Sequence, residues 1–83
     1  MQDICMAKEL IQGVASTIKL LRVAKQLSQE ELADKAGLDR TYISGVERGV
    51  RNITLESLES IVNALEVDMS TFLFTLDENI KKK

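Results

Sequence analysis

"QEELADKAGLDRTYISGV", residues 29–46, decides the fold. Ser28 stands just before it, with Glu31 three residues further on. A serine hydroxyl there can accept from the Glu31 backbone N–H while the Glu31 carboxylate reaches back, a capping box that starts a helix. Glu30 and Glu31 also suit the positive end of that helix's dipole. The helix is expected over 29–36. Gly37 stops it, because glycine enters the left-handed conformation without a steric penalty. Asp39 can cap a second helix over 40–48, with Ile43 and Val46 on its inner side and Gly49 at its end.

Two short helices joined by a tight glycine turn form a candidate helix-turn-helix. Its sterics can be checked position by position. With Gln29 as the first, the fourth is Leu32 and the fifth is Ala33, small enough for the helices to cross closely. Ala36 is eighth, Gly37 sits at the turn, Leu38 is tenth, and Ile43 and Val46 face inward. Every constrained position holds a suitable residue.

Upstream, Ile11, Val14, Ile18 and Leu21 recur at spacings of three, four and three, one stripe of a helix over 7–26. Gly13 lies within it at a cost of about 1 kcal/mol relative to alanine. It marks either a soft start or a place where another part of the chain comes close. Downstream, "VRNI" is a loop and Thr54 caps a fourth helix, with Ser57 in place of the box glutamate. Leu55, Leu58, Ile61, Val62 and Leu65 give its apolar face. After "EVD", a last helix over 70–79 carries Phe72, Leu73 and Leu76, with Ile80 just beyond. Residues 1–6 form an ambiguous start. The expected architecture is all-α, five helices in a single domain spanning 1–83: a core over 7–66, a dimerisation helix within 67–80, and a frayed lysine tail at 81–83.

Composition narrows the function. The 83 residues are 45% apolar, enough for one small domain with a modest core, for which pairing with a second copy is a common remedy. There is no histidine, which removes the commonest general base and a main metal ligand. The lone Cys5 cannot form a disulfide within the chain, which points to a reducing interior, and is read as a small apolar filler. No zinc-ligand spacing and no glycine-rich phosphate loop occur. These features weigh against an enzyme, a cofactor or a metal. Asp3, Lys8 and Glu9 interrupt any signal peptide, and no apolar run approaches the ~20 residues that span a bilayer. A cytoplasmic protein without membrane association is expected.

Charge is segregated. The chain carries a net −2, yet residues 16–54 hold seven basic and five acidic side chains, whereas 55–80 hold six acidic and no basic ones. Arg40, Arg48 and Arg51 fall within or just after the second helix of the pair. A local positive field guides a polyanion even when the total charge is negative.

"LSQEELADKAGLDRTYISGVERGVRNITLESLESIVNAL" resembles the DNA-binding domain of the Cro and phage-repressor type, the XRE family of bacterial regulators, over about residues 14–66. "GLDRTYISGVERGVRNIT", with the small one-domain size, is similar to controller proteins of restriction–modification systems. The resemblance implies a phage-repressor-like fold whose second motif helix lies in the major groove of double-stranded DNA. Arg40 and Thr41 open that helix: Arg40 can fork onto guanine O6 and N7, and Thr41 can touch a thymine methyl or a phosphate. Tyr42 can stack on a sugar or meet a base or phosphate, or else pack against the second helix. Ser44 and Arg48 are candidate phosphate or base contacts. Gln29 resembles the family glutamine that binds a phosphate and braces the reading helix. Arg51 and Asn52 precede the fourth helix, where they can clamp a further phosphate. Gly45 departs from relatives with a long polar side chain there. That shifts reading to Arg40, Thr41, Tyr42 and Ser44, or lets the backbone approach the groove.

Glu47 aligns with a family glutamate that pairs with an arginine of the first helix, here Arg22, a structural role. In the last helix, Met69, Phe72, Leu73 and Leu76 either pack into the core or, as the preferred reading, supply a two-fold interface shared with the fourth helix. A symmetric dimer would set two reading helices about one DNA turn, ~34 Å, apart on a pseudo-palindrome. The expected function is a homodimeric regulator controlling restriction–modification genes and its own promoter. An acidic patch near Glu47, Glu56 or Glu59 is a candidate contact for RNA polymerase. The alternatives are a phage-type repressor, an antitoxin, or a protein-interaction module that has lost DNA binding.

Overall fold

The computed structural model describes residues 2–81, with side-chain surroundings from Glu9 onward. The side chain of Cys5, and the last two lysines of the tail, lie outside that range. Five helices follow in order: α1 (Gln2–Ala24), α2 (Gln29–Ala36), α3 (Arg40–Glu47), α4 (Leu55–Ala64) and α5 (Met69–Lys81). No strand occurs among the described residues. α1 is the longest helix and α3 and α5 pack on it, while α2 packs against α3 and α4.

The local signals act through the expected chemistry at α2. Glu31 N–H donates to Ser28 Oγ at 3.0 Å and Ser28 N–H donates to Glu31 Oε1 at 2.8 Å. Gly37 takes φ +71°, and the following Leu38 N–H returns to the Ala33 carbonyl at 2.9 Å. This closes the helix in a left-handed cap. Thr54 accepts from the Ser57 N–H at 3.0 Å and starts α4.

Five boundaries differ from the sequence reading. α1 begins at Gln2 rather than Ala7, since nothing between them breaks a helix. It also stops at Ala24, where Gln26 adopts φ +61° and Leu27 N–H bonds back to the Arg22 carbonyl at 3.1 Å. α3 ends at Glu47, and Asp39 precedes it without a side-chain capping bond. α5 runs from Met69 to Lys81, so the first tail lysine is helical and sits 3.2 Å from Asp77 one turn earlier.

The core joins all five helices. Ile18, Leu32, Ile43, Ile61, Leu65 and Phe72 are completely buried, with Val14, Ala33, Val46, Val62 and Leu76 around them. Gly13 lies beneath α5: a Cβ there would stand 2.8 Å from Ile80 Cγ1 and 3.0 Å from Leu76 Cδ1. Close approach, rather than a soft start, accounts for this glycine. One turn along, Asn79 Nδ2 donates to Thr17 Oγ1 at 2.8 Å, and that hydroxyl donates to the Gly13 carbonyl at 2.7 Å. A part-buried polar pair thus fixes the register of α5 on α1.

Two residues assigned to the interface belong to this core. Phe72 is completely buried within the single chain and Leu76 nearly so, because α5 turns them onto α1 and α4. Exposed apolar side chains lie elsewhere and include Leu10, Leu55 and Leu73 at 50%, 85% and 50%, with Met69 at 38% and Phe74 at 66%. Leu10, Ile11, Leu55, Leu58 and Leu73 line an apolar groove of about 350 Å³ between α1, α4 and α5, which Arg51 and Asn52 also line.

Candidate nucleic-acid interface

The eight residues of α3 divide cleanly. Ile43, Gly45 and Val46 are buried, while Arg40 and Thr41 are exposed and Tyr42 and Ser44 are half-buried. Arg48, Arg51 and Asn52 are exposed just beyond the helix. Among the described residues, none of the three arginines is in a salt bridge with a carboxylate. One surface therefore presents three guanidinium groups, two hydroxyls and an amide, seated on a rigid apolar base.

The position of α3 is fixed from two sides through Glu47. Arg22 Nε donates to Glu47 Oε2 at 2.7 Å and its Nη2 donates to Oε1 at 3.0 Å, a fork-to-fork pair. The third donor, Arg22 Nη1, meets the Leu27 carbonyl at 2.7 Å. Gln29 Nε2 donates to Glu47 Oε1 at 3.0 Å. The Glu47 side chain is 3% exposed and that of Arg22 12%. One carboxylate thus ties the end of α3 to α1 and to the first residue of α2. Glu47 is accordingly removed from any acidic contact patch, whereas Glu56 and Glu59 remain exposed on α4.

Gln29 has a second amide N–H, since only one is spent on Glu47, and it stands at the first turn of α2 where backbone donors also gather. It can brace α3 and still offer a donor to an anion.

Tyr42 and Arg51 form a second unit. The Arg51 guanidinium carbon lies 5.2 Å from the centre of the Tyr42 ring, a cation–π distance. The Arg51 stem crosses Gly45, where an added Cβ would stand 3.4 Å from Arg51 Cβ and 3.5 Å from its Nε. Gly45 therefore makes room for Arg51 and is covered by it; its backbone is not offered to a groove. Tyr42 packs on the core, and its hydroxyl is buried without a hydrogen-bond partner in the protein. The expected packing role of Tyr42 and its place beside the polar face are thus both present.

A model of the family described as Helix-turn-helix (HTH_3) matches residues 18–72 of the chain. The chain belongs to the XRE-type helix-turn-helix family. Within it, Control protein C.BamHI of Bacillus amyloliquefaciens is 43% identical over 68 residues, which cover 80% of this chain and 84% of that protein. A Neisseria hypothetical transcription factor from Neisseria meningitidis serogroup B is 46% identical over 68 residues, covering 82% of this chain and 64% of that one. Among solved structures, the restriction–modification controller protein C.Esp1396I superposes with a TM-score of 0.84 at 48% identity, covering 86% of this chain and 93% of that chain. That protein has also been solved on a 25 base pair operator site and as a tetramer on its natural 35 base-pair operator. Its solved variants replace an arginine, a threonine and a tyrosine at three successive positions.

For this XRE-family chain, sequence reasoning missed three features of the site: the Arg51 stem over Gly45, the contact of Gln12 with Gly49, and the exposure of Leu10 and Leu55. The first two depend on the path of the loop after α3, which no periodicity encodes. Leu55 lies on the apolar face expected for α4, but periodicity does not divide that face between core and surface.

Proposed function

We propose that this protein is a sequence-specific transcriptional regulator that binds double-stranded DNA through α3. It acts as a homodimer on a pseudo-palindromic operator, controls restriction–modification genes and regulates its own promoter. It works in the cytoplasm, performs no catalysis and needs no cofactor.

The observation that carries this reading is the polar side of α3. Arg40 and Thr41 project from a helix, and Arg48 from its C-terminal cap, while the opposite side of that helix is locked by Ile43, Val46 and the Arg22–Glu47 pair. Exposed, unpaired guanidinium groups on a fixed helix suit a major groove lined by phosphates. The arginine–threonine–tyrosine order replaced in C.Esp1396I occurs once here, as Arg40-Thr41-Tyr42. In this account Arg40 and Thr41 read bases, and Tyr42, Ser44, Arg48, Arg51 and Asn52 add base or phosphate contacts. Gln29 holds a phosphate with its free amide N–H.

The operator complexes of that controller protein support the DNA partner, and its tetramer supports assembly of several copies on one site. For the dimer, the groove lined by Leu10, Leu55 and Leu73 is the surface that a second copy covers. Met69 borders it. RNA polymerase is a further partner of the DNA-bound form, with Glu56 and Glu59 as the carboxylates available to it. Footprinting on the DNA upstream of the protein's own gene tests the proposal. A protected region with two-fold related halves is the expected result. No protection at any promoter of that locus would reject it.

A further inference from the structure

The loop after α3 is held by α1 at a point that neither the motif nor the charge pattern marks. Gly49 follows α3 with φ +73°, and the carboxamide of Gln12 fills the space where a side chain would begin. A Cβ on Gly49 would stand 2.5 Å from Gln12 Nε2, 2.9 Å from its Cδ and 3.0 Å from its Oε1. One residue later, Val50 N–H donates to the Gly45 carbonyl at 3.1 Å. The next side chain is Arg51, laid over Gly45 and Tyr42. The loop thus leaves Glu47, which Arg22 fixes, rests on Gln12 at Gly49, and returns to α3 at Val50.

We propose that Gln12 is a positioning residue for DNA recognition: seated in the notch at Gly49, it sets the path of the loop that presents Arg48, Arg51 and Asn52. The inference rests on the reading of α3 as the DNA-facing helix. Gln12 itself need touch no DNA. Its amide restricts a left-handed hinge that is otherwise the freest point between two arginines. Fixing the hinge before binding removes an ordering cost at the moment of association. Gln12 is exposed on α1 and outside the core, so its removal does not disturb the apolar packing.

Three variants test this. Gln12→Ala leaves the melting temperature unchanged and lowers affinity for the protein's own operator about three- to tenfold. In the free protein it also raises hydrogen exchange at the Val50 amide by a similar factor, a readout independent of DNA. Gly49→Asn keeps a residue tolerant of positive φ but puts a Cβ against the Gln12 amide, so it lowers operator affinity in the wild-type background. In the Gln12→Ala background the same Gly49→Asn change has a much smaller effect. If exchange at Val50 is unaltered in Gln12→Ala, or the two substitutions simply add, Gln12 does not position the loop. If the unmodified protein binds no duplex at all while Val50 exchange still rises in Gln12→Ala, the DNA reading fails and the loop contact stands as structure alone.

Discussion

Glu47 at the end of α3 takes both prongs of the Arg22 guanidinium from α1, at 2.7 and 3.0 Å, with almost no access to solvent. The pair sets the angle at which α3 leaves the domain. Its partners are complete: the remaining Arg22 donor meets the Leu27 carbonyl, and Gln29 adds a bond to Glu47. Arg22→Ala or Glu47→Ala leaves the other charge buried and unpaired, so each lowers unfolding free energy by about 3–5 kcal/mol in urea titrations. Arg22→Lys does not restore the loss, because an ammonium group cannot reproduce the fork. Near-wild-type stability of either alanine variant would show that the pair is dispensable.

The Tyr42 hydroxyl is buried without a protein partner. Tyr42→Phe therefore removes no bond from the free protein, and its unfolding free energy stays equal or rises by up to about 1 kcal/mol. A loss of operator affinity in this variant would show that the ring turns its buried hydroxyl outward on binding DNA. A drop in stability would mean that the hydroxyl is satisfied in solution.

The apolar side chains divide between the core and an exposed groove that the proposed dimer would cover. Leu55→Glu and Leu73→Glu alter exposed positions of that groove, so both are expected to sediment as folded monomers, whereas the wild type is expected to sediment as a dimer. Phe72→Glu places a charge in the core and unfolds the domain. A folded, dimeric Leu55→Glu/Leu73→Glu double variant would place the interface on another surface.

At the end of α1, Gln26 holds φ +61°, a conformation that costs a side chain energy and glycine almost none. Gln26→Gly raises stability by about 0.5–1 kcal/mol in thermal or chemical unfolding. No gain would show that Gln26 makes compensating interactions in solution.

Much of this architecture was legible because the signals were local. The Ser28–Glu31 box, the left-handed Gly37 and the inward Leu32, Ala33, Ile43 and Val46 each follow from chemistry within a few residues. Asp39 had the right identity for a cap but makes no capping bond, since composition does not fix the side-chain rotamer. Phe72 and Leu76 lay on the apolar stripe of α5, but periodicity identifies a stripe without saying whether α1 or a second chain covers it. Likewise Gly45 and Gly49 could be counted, while their neighbours Arg51 and Gln12 are set by the tertiary path of the loop.

The proposed DNA recognition rests on the polar side of α3, and amide chemical shifts during titration with duplex DNA test this most directly. At low salt, the expected shifts concentrate at residues 40–48, at Arg51 and Asn52, and at the start of α2 near Gln29. They collapse as salt rises, because phosphate contacts release counterions. Shifts confined to the acidic surface of α4 and α5, with α3 unmoved, would contradict it.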